Sequence, residues 1–451
     1  MVNRGFSTLI VILVLAIPLA FFLGLFISQR SPSSPLPILT TIQKKEVFSE
    51  KIPGSKFHSP DATWWGYNQN KIVRFKDKVF SYYIENNDDS SKTSSKFVVI
   101  KKDGQKLWEE GAMFPTSRPG NLLIDSKGVL HAFVFEPFNV SENDSWGKII
   151  HYFFPNSASG DITNFKKELI VDNDGKSETA NIRVGSAISK DDTMVISFGL
   201  TNFNPLYKGQ SEHIYFKKPD DTDWAHLIAG EDLGHDFYYP FTYVLDNQFY
   251  LLPIQDDYVP PEDSTSYPNI YQKILLFEYT NQKWNKETVI DLSNHPLALE
   301  RARLLEQEEL FVDKDKNIHI IYKEFLDPKS SWAATNHIQM VGKLGNWKTT
   351  KISLDQPGIQ WVKLIEVDNN LYYLMSSFDK LYVRDVNSEK FKEIKIPEDA
   401  KGFYPYIATP RDGTKQNEFI DILLLGADQK LFQEKSQTNY YLRIPKSFFS
   451  F

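Results

Sequence analysis

Cysteine is missing from this chain of 451 residues, which excludes disulfides, thiolate metal sites and a cysteine nucleophile. Basic clusters are missing too: the net charge is −7 and the pI is about 5.8, so no nucleic-acid partner is expected. The sequence has no spacing typical of zinc peptidases, α/β-hydrolases or P-loop nucleotide-binding proteins. We therefore expect neither a metal site nor a cofactor.

Long apolar runs are absent except for Leu9–Ile27, which has 19 residues and no charge. As a helix, such a run can cross a hydrocarbon core about 30 Å thick. The apolar core of a cleaved signal peptide is usually shorter and is followed by a small-residue cleavage site. We therefore expect a retained anchor over residues 1–30, with a cleaved signal as the alternative. An extended linker over 31–58 would then lead to a globular domain over 59–451, which we place outside the cytoplasm on the cell membrane because it is large and not basic.

Aromatic residues recur at the start of segments that have the alternation of a β-strand, each time after a short polar turn. The seven positions are Trp108, Phe165, Trp224, Trp284, Trp347, Phe391 and Tyr440, with gaps of 57, 59, 60, 63, 44 and 49 residues. A repeat of roughly 50 residues built from strands and turns is typical of β-propeller blades. The sequence thus predicts an all-β, seven-bladed propeller, with six blades as the alternative because the last two units are short. The strand that closes the ring could come from residues 40–58 or from the tail, Lys446–Phe451.

Four of the turns before these aromatic residues resemble the S-x-D-x-G-x-T-W Asp box of sialidase-type propellers with BNR repeats. They are Lys102–Trp108, Lys218–Trp224, Tyr279–Trp284 and Lys343–Trp347. The resemblance extends over residues 64–447 and implies a propeller of the sialidase-like superfamily. The start of the chain, Arg4–Ile10, resembles the leader of type IV pilin-like proteins, which implies cleavage between Gly5 and Phe6; a plain membrane anchor is the alternative.

The resemblance to sialidases also implies a set of catalytic candidates. In that family, three arginines at the starts of inner strands hold the substrate carboxylate, and a glutamate-assisted tyrosine is the nucleophile. Arg118, Arg183, Arg303, Tyr239 and Tyr404 occupy such strand starts in this sequence. They imply a glycoside hydrolase. The alternative is that these arginines only pair with neighbouring blades and that the protein has no enzymatic activity, and we favour this alternative.

The loops between the second and third strands are long in the first five predicted blades and carry aromatic and acidic residues. Exposed aromatic rings beside carboxylates suit sugar stacking or a protein interface. The candidate ligand-binding residues are Phe138, Trp146, Tyr207, Asp256, Asp257, Tyr258 and Trp332. We therefore expect a module that binds a glycan or a protein. The alternatives are a sialidase-like hydrolase, a structural scaffold of an envelope complex, and loops that are mere decoration.

Overall fold

A computed structural model gives the fold of this chain. It describes residues 40–41, 47–52, 66–86, 93–102, 108–114, 120–137, 146–171, 178–181, 184–202, 209–231, 236–256, 271–298, 303–329, 334–353, 358–400, 403–415, 418–426 and 439–451. In this part of the chain, no helix is both long and apolar enough to span a membrane. The predicted anchor, Leu9–Ile27, lies outside the described residues.

The described residues are almost entirely β-strand. The strands are β1 (Thr40–Thr41), β2 (Phe48–Lys51), β3 (Ile72–Phe75), β4 (Lys78–Asn86), β5 (Thr93–Lys102), β6 (Glu109–Glu110), β7 (Met113–Phe114), β8 (Asn121–Ile124), β9 (Leu130–Pro137), β10 (Trp146–Phe154), β11 (Lys166–Val171), β12 (Glu178–Asn181), β13 (Gly185–Ile188), β14 (Met194–Asn202), β15 (Gly209–Lys217), β16 (Ala225–Glu231), β17 (Asp236–Leu245), β18 (Gln248–Asp256), β19 (Tyr271–Thr280), β20 (Lys283–Asp291), β21 (Leu305–Val312), β22 (Ile318–Glu324), β23 (Asn336–Lys343), β24 (Asn346–Lys351), β25 (Trp361–Val367), β26 (Asn370–Ser376), β27 (Leu381–Asp385), β28 (Phe391–Ile394), β29 (Phe403–Ile407), β30 (Phe419–Gly426) and β31 (Tyr440–Pro445). Three short 3₁₀ helices are described beside them: Ser157–Ser159, Pro410–Asp412 and Lys446–Phe449.

These strands form six hydrogen-bonded sheets. Five have the orders β3-β4-β5-β6 with β7 also on β5, β17-β18-β19-β20, β21-β22-β23-β24, β25-β26-β27-β28-β1 and β29-β30-β31-β2. The sixth has nine strands: two antiparallel groups, β8–β11 and β13–β16, are connected by β12, which pairs with β10 and with β14. The protein is therefore an all-β propeller with six sheets in the described residues, and the count of seven blades stays a prediction.

The ring closes through a strand from the beginning of the chain. β2 pairs antiparallel with β31 and forms the outer strand of the last sheet. Of the two sources that the sequence left open, residues 40–58 supply this strand. The first and last sheets are also connected by Arg74, whose guanidinium contacts the Asp421 carboxylate.

Tight turns account for the hairpins that build each sheet. Asp246 and Asn247 connect β17 to β18 with φ values of 48° and 62°, and Asp368 and Asn369 connect β25 to β26 with 49° and 65°. Positive φ at both central residues is the geometry whose twist matches two antiparallel strands, and Asp and Asn tolerate it best after glycine. The local sequence therefore dictates these hairpins.

The recurring aromatic residues connect neighbouring four-stranded groups. Trp224 donates its indole N–H to Glu168 of the preceding group at 2.7 Å, and Trp347 likewise donates to Glu287 at 2.9 Å. Glu168 also bonds to Nδ1 of buried His151 at 2.7 Å. Trp224 and Trp347 thus tie one outer strand to the next through their indole N–H groups.

Candidate functional site

Four aromatic rings meet where the inner strands of four different sheets begin. Tyr67 precedes β3 and stacks on Tyr239 with ring centres 4.6 Å apart; the ring of Trp361 lies 5.4 Å from Tyr67 and 4.1 Å from Tyr404. Tyr239, Trp361 and Tyr404 lie at or near the starts of the inner strands β17, β25 and β29. We call these four residues the aromatic cluster. Its members are far apart in sequence and are neighbours only because the sheets form a ring.

A charged triad of Arg303, Glu306 and Lys323 lies beside the aromatic cluster. Oε2 of Glu306 is 2.8 Å from Nζ of Lys323 and 3.3 Å from Nη1 of Arg303. Nζ of Lys323 lies 3.1 Å from the ring centre of Trp361, which is close enough for a cation–π contact. Two cations therefore contact one buried carboxylate.

The members of the site differ in exposure. The side chain of Arg303 is 33% exposed, whereas those of Glu306 and Lys323 are 2% and 5% exposed. The Arg303 guanidinium lies 5.6 Å from the ring centre of Phe325, and Tyr404 is half-buried. Solvent therefore reaches the site at Arg303 and Tyr404, and the remaining groups support these two from beneath.

The protonation states follow from burial and from the charged triad. Burial, reinforced by the Glu306 charge, raises the pKa of Tyr67 and of Tyr404 well above the usual range. Burial also raises the pKa of Glu306, but the nearby Arg303 and Lys323 cations outweigh it, so this pKa lies below its usual value. The two phenols are therefore neutral hydrogen-bond donors beside an ionised carboxylate.

Tyr239 has a strained backbone. It has a φ of 51° at a bulge of β17, a left-handed conformation that is rare for a bulky residue and is concentrated at functional sites. The Tyr239 carbonyl accepts a bond from Gln307 at 2.9 Å, and the Pro240 carbonyl accepts one from Asn68 at 3.0 Å. A Cβ on Gly185 would lie 2.1 Å from the Pro240 oxygen, so only glycine permits this approach. Residues from three other strands or loops thus hold the bulge in place.

The structure brings together three of the five catalytic candidates. Tyr239 and Tyr404 belong to the aromatic cluster, and Arg303 belongs to the adjacent charged triad. Arg118 and Arg183 lie outside the described residues. The roles of all five stay predictions.

The predicted ligand-binding residues lie in or next to segments that the structure does not describe. Trp146 begins β10 and Asp256 ends β18, and only their backbone positions are described. The others lie outside the described residues: Phe138, Tyr207, Asp257, Tyr258 and Trp332. In the described segments, no three histidine or acidic residues are placed to hold a metal ion.

Sequence reasoning missed Tyr67, Glu306, Lys323 and Trp361. One signal was available for Glu306, because the polar run at 306–309 interrupts the apolar pattern of an inner strand, and every residue in that run is buried. Buried carboxylates persist where cations or hydrogen bonds compensate for them, so this run marks a site. Tyr67 and Trp361 carry no comparable signal, since an aromatic residue at a strand start is ordinary core.

No protein-family model matches the sequence, and no curated protein matches it either. Several solved structures do resemble the chain. An ulvan lyase with bound -[GlcA(1-4)Rha3S]- aligns over 84% of this chain and 94% of its own, with 8% identity and a TM-score of 0.55. An α-L-arabinanase from Penicillium chrysogenum aligns over 89% and 98%, with 10% identity and a TM-score of 0.46. The Trypanosoma rangeli sialidase aligns over 75% and 58%, with 11% identity and a TM-score of 0.39.

The similarity to the ulvan lyase, with a TM-score above 0.5 over most of both chains, agrees with the propeller fold of the described sheets. At 8–11% identity the similarity shows the fold alone. Function must therefore be argued from the site.

Proposed function

We propose that this protein is a membrane-anchored, extracytoplasmic propeller that binds a glycan carrying an acidic group. Arg303 and Tyr404 are the proposed points of contact, supported by the rest of the aromatic cluster and the charged triad. The ulvan lyase with the same fold was solved with a saccharide that contains a uronic acid and a sulfated rhamnose, which is the kind of ligand we propose here. Attachment through Leu9–Ile27 is part of the proposal and rests on the sequence.

One observation carries this proposal: the guanidinium of Arg303 is one-third exposed at the edge of the site, whereas the other two members of the charged triad are buried. A guanidinium can bind a carboxylate or a sulfate through two parallel hydrogen bonds. Tyr404 is partly exposed and places an aromatic ring in this site, and an aromatic ring suits stacking against a sugar. The acidic, aromatic loops predicted from the sequence would extend this surface, and they would also suit a protein partner.

Catalysis is the second candidate, because Arg303, Tyr239 and Tyr404 lie near Glu306, and a sialidase-like hydrolase combines carboxylate-binding arginines with a glutamate-assisted tyrosine. The raised pKa values of Tyr67 and Tyr404 favour binding over catalysis. A phenol that serves as nucleophile or base must lose its proton, and burial opposes that loss. A scaffold role in an envelope complex has no comparable observation in its favour.

We also propose that the nine-stranded sheet represents two blades, β8–β11 and β13–β16. Each group has four antiparallel strands, and only the four-residue β12 connects them. With the other five sheets, this division yields seven blades. The proposed boundaries are those that the aromatic repeat predicts.

The test is a glycan array and a titration of the full-length protein with an acidic glycan that binds, while turnover of the same glycan is monitored. We expect Arg303→Ala to weaken binding about tenfold or more, because a hydrogen bond to a charged group contributes about 1.5–3 kcal/mol. Arg443→Ala is the matched control, since that guanidinium also lies over two aromatic rings, 5.3 and 4.9 Å from their centres, on the last sheet.

Equal binding by the wild type and the Arg303→Ala variant would refute the proposed site. Turnover by the wild type that is lost in the Arg303→Ala variant would instead show that the protein is a hydrolase. Absence of both binding and turnover across acidic glycans would leave a protein partner as the better explanation.

A further inference from the structure

We infer that Glu308 and His337 are positioning residues for Trp361: this buried pair sets the plane of the indole against which Tyr404 and Lys323 pack. The inference rests on the proposed function, because Trp361 supports the proposed contact residue Tyr404. Neither Glu308 nor His337 belongs to the aromatic cluster or the charged triad. Each contacts the backbone that carries Trp361 rather than the ligand surface.

Glu308 is the extra residue of a bulge in β21, where the pairing with β22 shifts between Gln307 and Glu309. Bulges re-aim side chains and are common next to functional sites. The shift aims the Glu308 carboxylate at the next sheet, where Oε1 accepts the N–H of Val362 at 3.0 Å. Oε2 bonds to Nδ1 of His337 at 2.7 Å, and the two side chains are 0% and 1% exposed.

His337 contacts the backbone just before β25. Its Nε2 donates to the carbonyl of Ile359 at 3.3 Å, while Nζ of Lys323 donates to the carbonyl of Gln360, also at 3.3 Å. Backbone groups of residues 359, 360 and 362 are therefore all bonded to side chains of one sheet. Trp361 lies between these bonded residues, and its ring centre is 4.1 Å from that of Tyr404. The placement of the indole thus depends on these contacts between sheets.

The chemistry of the pair decides which substitutions preserve it. A carbonyl only accepts, so Nε2 of His337 carries a hydrogen, and a second proton is shared between Nδ1 and Glu308. Glu308→Gln retains all three bonds, because its amide oxygen can accept from Val362 while its NH₂ donates to a neutral His337. Glu308→Ala removes two of them. His337→Gln turns an amide oxygen toward one of two acceptors and therefore breaks one contact.

The pair also connects two sheets, so the test needs a readout that general destabilisation does not move. We propose ¹⁹F NMR of the full-length protein labelled with fluorotryptophan. The protein contains nine tryptophans, so the resonance of Trp361 must be assigned. Trp361→Phe identifies the resonance of interest. His319→Ala is the matched control: this buried histidine of the same sheet bonds to Asp313 at 3.2 Å, away from residues 359–362.

We expect Glu308→Ala and His337→Gln to shift or broaden the Trp361 resonance, while Glu308→Gln and His319→Ala leave it in place. Affinity for the acidic glycan should fall about tenfold in Glu308→Ala and change less than about twofold in Glu308→Gln, as expected for two lost buried hydrogen bonds that act indirectly.

An unmoved Trp361 resonance in Glu308→Ala and His337→Gln would overturn the inference. So would a Glu308→Gln variant that is perturbed as strongly as Glu308→Ala. If the wild type binds no glycan, the proposed function fails, whereas the ¹⁹F result still decides whether this pair positions Trp361.

Discussion

Replacement of Asp421 by alanine should open the propeller where its first and last sheets meet. Asp421 accepts from Arg74 at 2.5 Å and 2.8 Å through both carboxylate oxygens, and from the Tyr441 hydroxyl at 2.6 Å. The Arg74 and Asp421 side chains are 0% and 1% exposed. The pair connects β3 to β30 across 347 residues of sequence, which makes it a clasp of the ring.

Asp421→Ala should lower the free energy of unfolding by about 3–5 kcal/mol, because it leaves a buried guanidinium without its counter-ion. The matched control is Lys446→Ala, which removes an ion pair with Asp368 and leaves the turn residue in place; the two side chains are 23% and 68% exposed. Exposed pairs contribute about 0–1 kcal/mol, since water already solvates both charges. The predicted difference between the two variants is therefore several-fold.

Denaturant unfolding of the full-length protein, monitored by tryptophan fluorescence, measures both variants. The double variant Arg74→Met/Asp421→Leu should recover much of the loss, because it removes the isolated charge and retains the buried volume. Equal destabilisation by Asp421→Ala and Lys446→Ala would contradict our account of ring closure. A double variant no more stable than Asp421→Ala would show that the clasp acts through packing rather than charge.

Two further predictions concern the contacts between neighbouring groups. Glu287→Ala should lower the free energy of unfolding by about 1–2 kcal/mol, because the half-buried indole N–H of Trp347 loses its acceptor, and Glu287→Gln should lower it less. Unfolding midpoints measure both variants, and equal losses in the two would contradict a contribution from this hydrogen bond. Burial lowers the pKa of His151 from 6.5 to about 4, so the folded protein binds fewer protons than the unfolded chain. Stability should therefore be full above about pH 6.5 and fall as the pH drops towards 4. Burial raises the pKa of Glu168, but hydrogen bonds from His151 and other donors outweigh it and lower the value from 4.5 to about 2, which adds a loss below pH 4.5. Melting temperatures at pH 7, 5.5 and 4.5 test this trend, which His151→Phe should flatten.

The repeat of aromatic residues and the turn chemistry were enough to predict the propeller. Both signals are local: a pair such as Asp246-Asn247 dictates a hairpin through its own backbone preferences, and alternation dictates which side chains are buried. Inner strands that all begin at one edge also explain why Arg303, Tyr239 and Tyr404 could be named from the sequence.

The make-up of the site depends on contacts that span the whole ring. Tyr67 lies 240 residues from its hydrogen-bond partner Gln307, and no local pattern encodes that distance. The bulges at Tyr239 and Glu308 likewise escape the sequence, because a single extra residue in a strand leaves the hydrophobic pattern almost unchanged while it turns the next side chains to the other face. Periodicity therefore predicts the blades, whereas closure of the ring and the strand bulges determine which side chains meet at its centre.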